Sequence, residues 1–418
     1  MSSSVLQGWW VEHRARALQV AIVLMILAAP PRLEFGFSRL LGDQGPTGAI
    51  DLKLRYHEVH NWFAGTDVYQ KLRNAVYPPA SYAILWPFLG WSTWLSARWL
   101  WGATAVVALG WLAYLIVRES RADTLLEHIF VGLLPFSMYA TSVAVGNGQP
   151  IVPLLPALVA GLVLLHGRRR GWRGDLLAAG LILMTLVSPT NSAPFFWIVV
   201  LVPQTLWPAV LVSLGYGALT LLAVSFQSDG PVSLVRHWSL RAGAGVSWGS
   251  VHGGYANLHS WLAALGQQTW DWPASLLVLA ALGVWTCCHR HAELWILLGV
   301  AALVSRLWTY HRLYDDLLIV LPMITLFRVA KQSPSADGSG VIAGVLVAAG
   351  WVAVLSPPGL LLQSPPWNWL FEAEQTAVWA AMLIFLLNQA RREKIPRRGE
   401  TYARIANGTP AGGEGKSR

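Results

Sequence analysis

Residues 51–64 read Asp51-Leu52-Lys53-Leu54-Arg55-Tyr56-His57-Glu58-Val59-His60-Asn61-Trp62-Phe63-Ala64, and they hold the side chains best suited to chemistry. At helical spacing Leu52, Tyr56, Val59 and Phe63 share one face, while Asp51, Arg55 and Glu58 share another. A carboxylate takes a proton from a hydroxyl when it lies within hydrogen-bonding reach of it. Asp51 and Glu58 are the carboxylates on this face that could take that role. At the head of a helix the same carboxylate can instead cap free backbone N–H groups, and both readings of Asp51 stand at this point.

A second concentration runs from Arg306 to Asp316 between two apolar stretches and includes Trp308, Tyr310, His311, Arg312, Tyr314 and Asp315. Ionisable groups at a membrane boundary are costly unless paired or hydrated. His311 and Arg312 suit charge-assisted bonds to an anion; alternatively Arg312 pairs with Asp315 or Asp316 in an ordinary loop. Lys53, Arg55, Lys71, Arg73, Arg236, Arg241 and Arg306 are further cations in the same loops. Gly146-Asn147-Gly148-Gln149-Pro150 reads as a turn, with Gln149 able to donate to a ligand. The glycines and aromatics of 247–255 suit a mobile cover over a bound ligand, or equally a structureless loop. Cys287-Cys288-His289-Arg290-His291 has no usual zinc spacing and is read as a helix end. No paired-carboxylate motif demands a divalent ion, and metal dependence stays open.

The elements that must position these groups are membrane spans. The chain is 12% charged and 55% hydrophobic, with a mean hydropathy of +0.46. A soluble domain is about 25% charged, so too little polar surface is available and lipid must cover the outside. Many of the 24 tryptophans stand at the ends of apolar runs, where an aromatic belt belongs. The net charge of +9 does not imply nucleic acid, because the cations flank apolar runs in short segments. Apolar runs fall near 17–31, 77–94, 98–117, 124–145, 150–166, 175–188, 193–206, 207–225, 273–289, 292–308, 313–330, 341–356 and 374–390. The first is read as a retained helix, since no small-residue cleavage site closes it before Pro30-Pro31.

Arg118 with Arg121, the loop holding Arg168, Arg169, Arg170 and Arg173, then Arg290, Arg328 with Lys331, and Arg391 onward mark the cytoplasmic side. These agree only if the proline-rich segment 77–94 dips without crossing. About twelve spans with both termini inside result, and 226–272, 146–150 and 308–315 lie outside. The expectation is one all-α polytopic domain over 1–390, with outer loops 32–76 and 226–272, and a basic, disordered cytoplasmic tail over 391–418. In the first outer loop an amphipathic helix would lie in the interface plane beside the membrane, its polar face looking into the cavity that the helices enclose.

An acidic residue at the head of a juxtamembrane helix (Asp51), then Gly65-Thr66-Asp67-Val68-Tyr69, then Tyr77-Pro78-Pro79 leading into an apolar helix that ends near Pro87, resembles glycosyltransferase family 87. Gly148-Gln149, Ser188-Pro189, Asn257-x-x-Ser260 and Trp308-x-Tyr310-His311-x-x-Tyr314-Asp315 follow in the family's order, over residues 15–330. The resemblance implies the GT-C membrane fold and an inverting transfer of a hexosyl group from a polyprenyl-phosphate donor to a lipid or glycan acceptor. The best-known relatives, of mycobacteria, use mannose. It implies an extracytoplasmic site in a bacterial inner membrane, with no resident cofactor and no nucleic-acid partner. Asp51 is then the general base, with Arg55, Glu58, Tyr69, Tyr77, Gln149, Asn257, His311, Arg312, Tyr314 and Asp315 binding substrate. One departure stands out: family members often have Lys before the central proline, whereas this chain reads Val187-Ser188-Pro189-Thr190-Asn191. A transporter or flippase, or a surface-polysaccharide polymerase or ligase working through 226–272, are the rival readings.

Overall fold

The computed structural model describes residues 3–167, 171–202, 206–252, 256–332, 338–356 and 366–393. All regular structure among them is helical. The elements are α1 (Ser3–Phe37), continued by a π-helical turn (Ser38–Gly42), then α2 (Ile50–Phe63), α3 (Val68–Lys71), α4 (Pro79–Leu89), α5 (Trp94–Glu119), α6 (Leu125–Ser137) and α7 (Tyr139–Asn147). There follow α8 (Ile151–His166), α9 (Trp172–Thr185), α10 (Pro189–Leu201), α11 (Trp207–Val224), α12 (Pro231–His252) and α13 (Leu258–Ala264). The last are α14 (Asp271–Cys288), α15 (Leu294–Leu307), a 3₁₀ segment (Leu313–Ile319), α16 (Val320–Gln332), α17 (Ser339–Leu355) and α18 (Trp367–Glu393).

Among the described residues, five helices are long and apolar enough to cross a bilayer: Arg14–Gly42, Trp94–Glu119, Trp207–Val224, Gln268–Cys288 and Trp367–Glu393. The α6–α7 pair, bent by 43°, makes a sixth if counted as one span. Fewer full-length helices are therefore present than the twelve crossings expected. The runs at 175–188, 193–206, 292–308 and 313–330 fold into helices of 13 or 14 residues, which at 1.5 Å per residue reach only about 20 Å against a hydrocarbon core of about 30 Å. Of these α15 and α16 are buried almost throughout. Protein replaces lipid around them, so their apolarity reports burial in the bundle as well as membrane.

The segment 77–94 contains only the 11-residue α4, about 16 Å long and too short to cross alone. It packs beside α2 and α11. The α6–α7 bend lies at Met138, whose extended backbone breaks the helical ladder. The carbonyls released there are taken by side chains: Thr141 Oγ1 bonds Pro135 O, and the Arg32 guanidinium of α1 bonds Ser137 O.

One expectation changes. The second polar segment is neither structureless nor a simple loop, because α12 and α13 lie within it. Its serines and glycines hid a helix that docks by a few side chains. Helix α2 packs against α4, α5 and α7. Arg55 and Glu58 are buried along with Leu52, Val59 and Trp62, so the polar face of α2 looks inward. Cys287 and Cys288 are exposed at the end of α14, as a helix end requires. Arg168, Arg169, Arg170, residues 253–255 of the expected cover and the tail beyond Glu393 lie outside the described residues.

Candidate active site

The start of α2 is set by Ala49, which adopts a left-handed conformation (φ 48°) and donates its N–H to Gly146 O at 3.2 Å. No side chain caps the helix. Asp51 stands in the first turn, where the helix dipole favours a negative charge, and its carboxylate is hydrogen-bonded by Gln149. The capping role is therefore not the one Asp51 plays.

Gln149 is placed by the turn that ends α7. Gly148 takes φ 70° as the C-cap and presses its Cα against Leu52 of α2. A Cβ there would lie 2.5 Å from Leu52 Cβ, so only glycine allows both the left-handed turn and the contact. Gln149 N closes the turn on Ala144 O at 2.8 Å, and its side chain is buried.

One turn along α2, Arg55 Nη1 lies 2.8 Å from Glu58 Oε2. The Arg55 guanidinium stacks 4.0 Å from the centroid of Tyr77 and donates to Asn74 O at 3.2 Å. Beyond the ion pair, the Glu58 carboxylate meets the Tyr82 hydroxyl, which also lies against the Tyr69 hydroxyl. Tyr69 bonds Tyr77 O at 2.8 Å through its hydroxyl, and its ring meets Trp62 edge-on at 5.5 Å. Tyr82 lies 4.9 Å from Trp62 and 6.3 Å from Tyr69, so the three rings form one cluster. The result is a buried acid–guanidinium pair walled by aromatic rings beside Asp51.

The third wall is the 3₁₀ segment. Asp315 is buried, and three neighbours hold its carboxylate: His311 Nδ1 at 3.1 Å, Arg312 N at 3.0 Å and Asn191 Nδ2 at 3.1 Å. His311 Nε2 is buried with no partner among the described residues. Arg312 Nε bonds the Tyr310 hydroxyl. Tyr314, Arg312 and Asp315 all lie within electrostatic reach of Asp51. Of the pairings weighed for this loop, Asp315 takes the backbone N–H of Arg312, and Asp316 pairs with Arg306 instead. Asn257 acts through the backbone: it caps α13 by accepting from Ser260 N at 3.0 Å and donates to His311 O at 3.2 Å.

Burial is the main force on Asp51 and raises its pKa, against the opposing effects of Arg55, the Gln149 hydrogen bond and Arg312. Burial likewise pushes Glu58 up, to about 7, although Arg55 stands beside it. For Asp315 burial also acts upward, but His311 and the hydrogen bonds from His311 and Arg312 N outweigh it and hold this carboxyl below the usual range. Two acids at one site are thus tuned in opposite directions, Asp51 towards a stronger base and Asp315 towards a fixed anion.

Asp51, Arg55, Glu58, Tyr69, Tyr77, Gln149, Asn257, His311, Arg312, Tyr314 and Asp315 therefore lie in or against one region, drawn from α2, α3, the approach to α4, the α7–α8 turn, α13 and the 3₁₀ segment. Lys53, Lys71, Arg73 and Arg236 lie at the surface, and Arg241 of α12 donates to Tyr69 O at 2.8 Å. α12 also docks through Trp238 Nε1 on Val76 O at 2.9 Å and His237 Nδ1 on Asp67 Oδ2 at 2.7 Å. With Asp229, His237 and Asp67 are the one group of three potential metal ligands among the described residues, and all three are partly exposed.

Sequence reasoning did not single out Tyr82, Trp62 or Asn191 as site residues. A tyrosine inside the apolar run after Pro79 was the available signal for the first. Nothing local marks the Asn191–Asp315 bond, which joins positions 124 residues apart.

No individually curated protein and no solved structure matches the chain. Residues 75–309 match glycosyltransferase family 87. That stretch holds Tyr77, Gln149, Asn191 and Asn257, and the geometry above ties to them the flanking Asp51, Arg55, Glu58, Tyr69, His311, Arg312, Tyr314 and Asp315. The match spans more than half of the 418 residues, and the chain belongs to glycosyltransferase family 87, a family of membrane glycosyltransferases.

Proposed function

We propose that the protein transfers a hexosyl group from a polyprenyl-phosphate donor to a lipid or glycan acceptor at the extracytoplasmic face of a bacterial inner membrane, with Asp51 as general base. The acceptor oxygen attacks the anomeric carbon as its proton passes to the Asp51 carboxylate. The bond from that carbon to the phosphate oxygen breaks, the electron pair leaves with polyprenyl phosphate, and the sugar carbon inverts. Mannose is the first donor sugar to test, by analogy with the best-known relatives.

The observation that carries this reading is Asp51 itself: partly buried, bonded by Gln149, raised in basicity and facing Arg55 and Arg312. A base with an elevated pKa takes a hydroxyl proton more readily. Departure of the phosphate needs cationic or N–H donors. Arg312 and the unpartnered Nε2 of His311 supply them, which suits a chain without a cation at 187–191. Arg55, Glu58, Tyr69 and Tyr77 provide polar groups and ring faces for sugar hydroxyls and sugar planes.

The test uses purified protein in lipid with radiolabelled polyprenyl-phosphate mannose, then glucose, and membrane-extracted acceptors. Transfer by the native chain, reduced by roughly 10²- to 10⁴-fold in Asp51→Asn while the variant still inserts and melts normally, supports the reading. Transfer undiminished in Asp51→Asn overturns the role of the aspartate, and absence of transfer from either donor overturns the donor class.

A further inference from the structure

At the other end of the bundle from Asp51 the protein has an apolar crevice between α1 and α17, floored by α6 and α16. Its volume is about 170 Å³. It is lined by Leu18 and Ala21 of α1, Phe130 of α6, Phe327 of α16 and Val347 and Trp351 of α17. Cavities of this size and lining, on the order of 150 Å³, stay free of water and accept hydrocarbon. The crevice is not isolated from lipid. Val20, Val23, Leu24 and Leu27 stand exposed along α1, and Ile342, Val345 and Val352 along α17, so it opens within the apolar belt that faces acyl chains.

Arg14 and Lys331 also line it. Both are bound by the same buried carboxylate, Glu127, and Lys331 reaches Asp123 as well. Glu127 is itself fixed, since it accepts from Asp123 N at 2.8 Å and closes the capping box at the start of α6. The buried Glu127 thus holds two cations side by side, with the exposed Asp123 as a second partner of Lys331. A guanidinium has five donors and an ammonium three, more than these ion pairs use. The Trp351 indole N–H is also buried without a partner among the described residues.

We propose that this crevice binds an anionic phospholipid, one acyl chain lying along the groove and the phosphate meeting Arg14 and Lys331. A zwitterionic lipid offers the same chain but brings a cationic group toward two cations, so selection falls on the headgroup. The site is separate from the catalytic one, from which α1 and its π-helical turn, 29 residues from Arg14 to Gly42, set it apart by about 40 Å.

Lipid retention tests the proposal. The protein is purified, exchanged into nanodiscs of phosphatidylcholine with or without phosphatidylglycerol, and the lipid that survives detergent extraction is read by native mass spectrometry. The native chain should retain one phosphatidylglycerol in preference to phosphatidylcholine. Ala348→Trp, from an exposed residue of the crevice wall, should abolish retention while leaving both cations in place. Lys331→Gln should weaken it about tenfold or more, as loss of a charged hydrogen-bond donor does; the melting temperature of each variant in lipid-free detergent reports whether it folds. Equal retention of the two lipids, or phosphatidylglycerol retained unchanged in Ala348→Trp, overturns the proposal.

Discussion

Replacing Gly148 by alanine perturbs the site without touching a polar group. Two conflicts arise at once. An L-residue at φ 70° costs about 1–2 kcal/mol in the left-handed region. The new Cβ would also lie 2.5 Å from Leu52 Cβ, about 1 Å inside ordinary carbon–carbon contact. The obstructing atom is the first carbon of a helical side chain, so a rotamer change does not move it. The α7–α8 turn and α2 must separate by roughly that 1 Å, and they carry Gln149 and Asp51 respectively. Misplacement of 1 Å lowers a rate by about 10²-fold. Gly148→Ala should therefore cut kcat/KM in the mannosyl-transfer assay by about 100-fold, while melting falls by the equivalent of about 1–3 kcal/mol. Gly217→Ala in α11, with nothing within 4 Å of its Cβ, serves as control and should retain activity. Transfer by Gly148→Ala within threefold of the native rate would refute the argument that this contact sets the distance between Gln149 and Asp51.

The raised pKa of Asp51 predicts that transfer rises with pH as this carboxyl deprotonates, with the acid limb above the ordinary aspartate value of about 3.9. The folded protein holds that proton more tightly than the unfolded chain. Its contribution to stability is present below the unfolded pKa and lost as pH rises through the folded one; Asp51→Asn should flatten both the rate profile and the matching part of the melting profile. Tyr77→Leu removes the ring stacked 4.0 Å from Arg55 and should lower stability by about 0.5–2 kcal/mol, read as a melting shift in detergent. Trp238→Leu deletes the bond to Val76 O, and hydrogen exchange along α12 should speed up while α5 stays protected.

What the sequence disclosed and what it concealed divide along a physical line. The face shared by Asp51, Arg55 and Glu58 was legible because a helix repeats every 3.6 residues, and the turn at Gly146–Pro150 because glycine and proline restrict the backbone locally. Arg306–Asp316 was legible as a concentration of charge in apolar surroundings. Which elements close over the polar face of α2, namely α4, α5 and α7, was not, since they arrive from elsewhere in the chain. Hydropathy also could not separate lipid-facing from core-facing helices: α15 and α16 are apolar and buried almost throughout, and at 14 and 13 residues each is shorter than a helix that spans a bilayer alone. The helix α12 was missed for the opposite reason, its docking face being three side chains (His237, Trp238 and Arg241) among residues that read as loop.

Asp315 and Asp316 are adjacent in sequence and opposite in duty, and this makes a sharper test than either alone. On the 3₁₀ segment their side chains diverge. Asp315 turns to His311 and Asn191 at the site, and Asp316 turns into the core, where Arg306 of α15, Tyr139 of α7 and Gln375 of α18 meet it. Asp316 and Arg306 are both fully buried. Removing one member of such a pair strands the other charge and costs about 3–5 kcal/mol. Asp316→Leu should therefore reduce the yield of folded protein on size-exclusion chromatography, and adding Arg306→Met should recover much of it, since replacing a whole buried pair by apolar groups is close to neutral. Asp315→Asn keeps one acceptor oxygen in place of two, so it accepts from Asn191 Nδ2 or from Arg312 N but not both, a cost of about 1–3 kcal/mol that the fold should survive. The anion that orients His311 is gone, and transfer should fall while folded yield drops far less than in Asp316→Leu. If Asp315→Asn unfolded the protein as Asp316→Leu does, Asp315 would be a structural partner of Asn191 and not part of the site.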